Sequence, residues 1–147
     1  MEYVRVRKTN LARNTSQIIR NVLRGQPAVI ESHGQPEVAI VDVADYFILR
    51  AVARYHENPP TINPDGLIDD EADQLTDPQE RYNVVMAHYL AGAISTGRTA
   101  ELLGLPWIEL RERFRRLDVP IHLGSSSVEE ARQELNSLLK RSTPGQG

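Results

Sequence analysis

The stretch AVIESHGQPEVAIV, residues 28–41, decides how this chain is read. Two strand-like runs, Ala28 to Glu31 and Glu37 to Val41, flank His33-Gly34, where glycine permits the positive φ of a tight hairpin turn. Working back from the hairpin, Gly25 stops a segment in which Leu11, Ile18, Ile19, Val22 and Leu23 fall on one side at helical spacing. Thr9 or Asn10 is available to cap that helix. Ahead of it, Tyr3 to Arg7 alternates with a period of two, which puts Val4 and Val6 on one face of a short strand and Arg5 and Arg7 on the other. Working forward, Val43 to Tyr55 is helical in pattern. Residues 1–55 therefore read β-α-β-β-α, a module expected to need chain association because it buries little apolar surface alone.

Charge is unevenly placed along the 147 residues. Residues 1–55 hold 8 basic and 5 acidic side chains, 56–80 hold none and 8, and 81–147 hold 9 and 7. The middle block, rich in Asp, Glu and Pro and poor in aromatics, has the composition of an acidic flexible linker. Arg5, Arg7, Lys8, Arg13, Arg20 and Arg24 face only Glu2 across the first 24 residues. Such a basic leading edge points to an anionic partner, nucleic acid first, with Arg5, Arg7, Lys8 and Arg13 the phosphate-contacting candidates. No cysteine is present, so a disulfide framework and a cysteine zinc site are excluded. With neither an export signal nor a long apolar run in the sequence, a cytoplasmic protein with no membrane association is expected.

The first third resembles the Phd/YefM (prevent-host-death) antitoxins. The likeness rests on Asn14-Thr15-Ser16, Gly25, the turn at Gly34 followed by Pro36, the apolar run Val38-Ala39-Ile40-Val41, and Tyr46. Ala12 and Thr15 stand where the family usually has an Arg and an apolar residue. The resemblance implies a homodimer formed through the N-terminal module, with basic surfaces brought together over promoter DNA.

In residues 81–147 the pattern turns wholly helical. Asp77-Pro78 opens a helix with Tyr82, Val85, Met86, Tyr89 and Leu90 as one apolar stripe, and Gly92 ends it. Ser95 caps a short helix, Gly104 turns the chain, and Pro106 starts a helix whose apolar side is Trp107, Leu110, Phe114 and Leu117. With Ala100 placed four before Gly104, the spacing is that of a helix-turn-helix. On the second of these helices, Glu109 with Arg113 and Glu112 with Arg116 have the four-residue spacing of stabilising pairs. Glu112 points directly outward, where a DNA-reading helix would meet phosphates. A structural or dimerising role is expected for this unit, with Arg111 and Arg115 left as flanking candidates for backbone contact. The last segment has a capping box in Ser127 and Glu130 and an apolar stripe of Val128, Ala131, Leu135, Leu138 and Leu139. It reads either as a helix folded back on its own module or as one presented to a partner's groove.

Ile94-Ser95, Arg98, Ala100-Glu101-Leu102, Gly104-Leu105 and Val119-Pro120-Ile121-His122 resemble a second family, small prokaryotic helix-turn-helix proteins often considered antitoxins to PIN-domain nucleases. Thr99 and Asp118 depart from its usual Ala and Gly. By that resemblance the partner is a cognate toxin, a PIN-domain ribonuclease first. Arg132, Leu135, Leu138, Leu139, Lys140 and Arg141 are then candidates to contact it, the cations facing the nuclease's carboxylate cluster.

No catalytic constellation stands out. His33, His56, His88 and His122 lack metal-ligand spacing and read as turn, surface or edge residues, and Asp69 to Asp73 lacks the glycine and distal Glu of a calcium loop. No cofactor, metal or enzymatic activity is expected. The expected architecture is α+β: a Phd-like dimerisation module, an acidic linker at 56–80, and an all-α helix-turn-helix module. The expected function is a type II antitoxin that neutralises its toxin and represses its own promoter. A stand-alone dimeric regulator, or an adaptor with no toxin, is the alternative.

Overall fold

A computed structural model describes residues 2–121 together with Leu135, Asn136 and Leu139. It is a mixed α+β structure. Strand β1 (Val4–Arg7) leads into α1 (Lys8–Leu23), the hairpin β2 (Ala28–Ser32) and β3 (Gln35–Ile40), then α2 (Val43–Glu57), α3 (Asp69–Asp73), α4 (Pro78–Leu90), α5 (Thr96–Leu103) and α6 (Trp107–Arg116). The sheet order is β1-β2-β3, with β1 parallel to β2 and β2 antiparallel to β3.

The hairpin turn is made as expected, with His33 at φ 52° and Gly34 at φ 76° between the paired Ser32 and Gln35. Two positive φ values in a two-residue loop match the right-handed twist of the strands. Register places Val4, Val6, Ala28, Ile30, Val38 and Ile40 on one face. Ile18 and Val22 of α1 close over that face, with Leu11 beside them. The opposite face carries Arg5, Arg7, Val29 and Ala39. Helix α1 starts earlier than expected: Arg7 is the N-cap and no side chain caps the helix, so neither Thr9 nor Asn10 serves. The chain passes from β1 into the helix with no loop in which a cap could sit.

Helix α2 does not close a separate small module. Asp42 caps it by accepting the Asp45 N–H at 2.8 Å. Its inner side, Ile48 and Ala51, enters the main core with Tyr82, Met86, Tyr89, Leu110, Phe114, Leu117 and Val119. The few aromatics are concentrated here: Tyr89 stacks on Phe114 at 5.0 Å between centroids, and Phe47 lies 5.2 Å from Tyr82. Helix α2 thus belongs to the core of the helical half, while α1 and the sheet keep a separate small cluster of Ile18, Val22 and Ala28.

The acidic block also differs from a solvated linker. Leu67 and Ala72 are buried against Val85 and Leu102. Arg98 donates to the Leu67 carbonyl at 3.0 Å and lies 2.8 Å from Asp69, while Arg81 donates to the Ala72 and Leu102 carbonyls and lies 3.6 Å from Asp73. Two of the acidic residues are therefore matched by arginines from α4 and α5. With α2 on one side and this segment with α5 on the other, α4 is buried well beyond one stripe: Ala87 and His88 are enclosed as well.

His88 is accordingly a core residue and not a surface one. It is 2% exposed, its Nε2 accepts the Asn63 N–H at 3.0 Å, and its Nδ1 lies 2.8 Å from the Val84 carbonyl. A neutral ring protonated at Nδ1 satisfies both contacts. Replacing His88 by Ala takes the acceptor from the Asn63 N–H and leaves a cavity, and is expected to lower stability by about 2–4 kcal/mol in urea denaturation.

Candidate nucleic-acid and self-association surfaces

The α1 helix offers two unlike faces. The inner one is apolar and wider than its own sheet covers. Ile18 and Val22 are buried, yet Ile19 and Leu23, one helical step around, are 47% and 66% exposed. Val38, on the sheet face that α1 covers but out on edge strand β3, is 57% exposed. Every residue of β3 except Ile40 is exposed, and Pro36 has no N–H to donate. Ile19, Leu23 and Val38 are thus apolar side chains left exposed around a short core. Val43 and Tyr46 of α2 add further exposed apolar surface.

The outer face of α1 is polar and basic. No acidic residue occurs between Glu2 and Glu31, a span that contains Arg5, Arg7, Lys8, Arg13, Arg20 and Arg24. The structure separates these cations. Arg5 projects from the outer face of the sheet, its Nε 3.4 Å from Glu31, and Lys8 Nζ is 3.8 Å from Glu37. Glu37 is exposed, so the Lys8 pair is weak and exchangeable, whereas the Glu31 side chain that meets Arg5 is largely covered. Arg7 and Lys8 line an open cleft of about 560 Å³ with Thr9, Glu31, Ser32, His33 and Gly34. Arg13 sits on the exposed side of α1. Of the four phosphate-contacting candidates, Arg7 and Lys8 share the cleft, Arg5 stands on the sheet face beside it, and Arg13 stands apart.

Helix α6 has its arginines committed elsewhere. Arg113 Nη1 donates to Asp42 and Asp45 at 2.7 Å, and its Nη2 donates to Glu109 at 2.7 Å. Arg116 donates to both Asp45 oxygens at 2.8–3.0 Å. Burial alone would lower the Arg113 pKa, but the hydrogen bonds it donates to Asp42, Glu109 and Asp45 outweigh this and raise it above its ordinary range, so the guanidinium stays charged. Arg111 stacks over the Trp107 ring at 5.5 Å, and Arg115 pairs with Glu112 at 2.9 Å. The expected Glu109–Arg113 pair is present; the expected Glu112–Arg116 pair is not, because Asp45 takes Arg116 and leaves Glu112 to Arg115. Arg111 and Arg115 are the α6 cations on the surface, each already engaged within the helix.

The Asp42, Asp45, Arg113 and Arg116 cluster was missed by sequence reasoning. Its local signals were present: two aspartates in an N-capping pattern and two arginines three apart on a helix. What sequence lacks is the distance, since the partners lie 68 and 71 residues apart.

Of the residues expected to contact a toxin, Leu135 and Leu139 are helical and 56% and 55% exposed, four residues apart and so on one side of a helix. Arg132, Leu138, Lys140 and Arg141 lie outside the described residues. Among the described residues, no three His, Asp or Glu side chains gather where a metal ion could sit, and no helix is long and apolar enough to cross a membrane. No protein-family model, curated protein or solved structure matches the chain.

Proposed function

We propose that this chain is a DNA-binding antitoxin: a homodimer that represses its own promoter through the N-terminal segment and neutralises a cognate toxin, a PIN-domain ribonuclease first, through its C-terminal helix. The observation that carries the DNA-binding part is the pairing on one helix of an acid-free basic face with an exposed apolar flank. The flank formed by Ile19, Leu23 and Val38 favours a second copy of the chain, because a self-complementary patch can close on itself about a two-fold axis. Two copies would set two basic faces on one duplex, and phosphate neutralisation by Arg and Lys supplies most of the affinity.

For the toxin, support comes from the exposed pair Leu135 and Leu139, the apolar anchors that a helix lays in a groove. Co-purification with the product of the adjacent gene tests this. Leu135→Asp with Leu139→Asp is expected to weaken that complex at least about tenfold, the effect of losing a modest anchor. An unchanged complex would remove the C-terminal helix from toxin binding.

One observation favours the second reading, a stand-alone regulator. The acidic block, expected to be a flexible linker free to meet a partner, already packs Leu67 and Ala72 into this chain. If the adjacent gene's product does not bind the full chain at all while promoter DNA does, the regulator reading replaces the antitoxin one.

A further inference from the structure

We infer that duplex DNA lies along the outer side of the C-terminal part of α1, held by Arg20 and Arg24, and not against the outer face of the sheet where Arg5 and Arg7 stand. This rests on the DNA-binding reading above and names the surface that performs it. Arg20 and Arg24 stand four residues apart, about one turn, at the C-terminal end of α1, where Arg24 is the C-cap; α1 is kinked at Asn14, so Arg13 lies across that kink from them. At roughly 1.5 Å per residue Arg20 and Arg24 lie about 6 Å apart along the axis, close to two base-pair steps of about 3.4 Å. Both are exposed, and neither forms an ion pair among the described residues. Beside them stand amides, not carboxylates; Gln17 and Asn21, already hydrogen-bonded to each other at 3.0 Å, hold donors and acceptors next to the arginines.

The competing face is less suited. Arg5 on the sheet has Glu31 at 3.4 Å, so a phosphate there must displace or meet a carboxylate. The α1 row meets none within its own helix, which has no acidic residue from Lys8 to Leu23. Arg24 stands at one end of the row and lines a cleft with three acidic residues, Glu2, Glu112 and Asp118, and two further cations, Arg115 and Arg116. An acidic protein is the other polyanion a basic row can take. The absence of an apolar centre on this side argues against it, since protein interfaces are built on one.

The test uses the full chain and fluorescence anisotropy against two duplexes, the DNA upstream of its own gene and a mixed-sequence control, over a salt series. Arg20→Gln with Arg24→Gln is expected to weaken both duplexes and lower the log–log salt slope by about 2 per protomer, at about 0.9 per phosphate lost. Arg20→Lys with Arg24→Lys keeps most of the slope, because a point charge suffices for a phosphate. Arg50→Gln, on α2, leaves it unchanged. A slope that falls in Arg5→Gln with Arg7→Gln but not in Arg20→Gln with Arg24→Gln places the duplex on the sheet and overturns the inference while leaving DNA binding intact. Wild-type chain that binds neither duplex at low salt overturns both the inference and the DNA-binding reading beneath it.

Discussion

Replacing Arg113 by Met is expected to lower the stability of the whole chain by about 3–5 kcal/mol, because it leaves buried carboxylates without their counter-charge. Arg113 is 8% exposed and serves three acidic residues, two on the N-terminal side of α2 and one on its own helix. Arg116 remains to meet Asp45, but nothing else described reaches Asp42 from α6. Asp42 also caps α2 through the Asp45 N–H, a task that Asn performs as well. Adding Asp42→Asn to Arg113→Met should therefore return about half of the loss, since the uncompensated charge is removed while the cap is kept. Urea denaturation of the three proteins measures this. Because the cluster is buried, raising the salt should change the difference little. Equal midpoints for wild type and Arg113→Met would mean that the arginine is dispensable to the joint between α2 and α6.

Replacing Ile19 by Asp is expected to act on association and not on folding. Ile19 is 47% exposed within one chain, so a carboxylate there stays solvated in the monomer and should change its stability by no more than about 0.5 kcal/mol. Across a two-fold axis the same substitution introduces two charges into an apolar contact. The dimer should weaken by about 2 kcal/mol or more, roughly thirtyfold in dissociation constant, and affinity for DNA should fall with it. Sedimentation velocity across a concentration series, with far-ultraviolet circular dichroism to check the fold, reads both effects. A variant that self-associates as wild type does would move the contact away from α1.

Much of the architecture was legible in the sequence because its signals are local. His33-Gly34 fixed the hairpin, Asp77-Pro78 and Ser95 opened their helices, and Gly104 with Pro106 separated α5 from α6. Period-two alternation found β1, and the stripe Trp107, Leu110, Phe114 and Leu117 gave the inner side of α6. The failures share a physical cause, which is that burial depends on what arrives from elsewhere in the chain. Composition marked residues 56–80 as a linker, yet two well-placed apolar residues, Leu67 and Ala72, and two arginines from outside the block were enough to pack it. His88 looked unremarkable in sequence and became a core residue because α4 is enclosed from two sides. Thr9 and Asn10 are good capping residues at a helix that begins before them.

The candidate DNA surface was legible as a charge excess and not as a surface. Counting cations grouped Arg5, Arg7, Lys8 and Arg13, whereas the fold distributes them between the sheet, the mouth of a cleft and the outer side of α1. Arg20 and Arg24 belonged to the same basic excess. Their position together at the C-terminal end of α1, with no acidic residue on that helix and beyond the kink at Asn14 from Arg13, follows from where α1 runs and which of its sides the sheet covers.

The central claim, a dimer that grips duplex DNA through its N-terminal segment, is tested most directly by sedimentation of the full chain with the duplex upstream of its own gene at low salt. The account predicts a complex of two protomers, or a multiple of two, on each duplex, dissociating steeply as salt rises. A chain that sediments as a monomer and leaves the duplex unbound would contradict it.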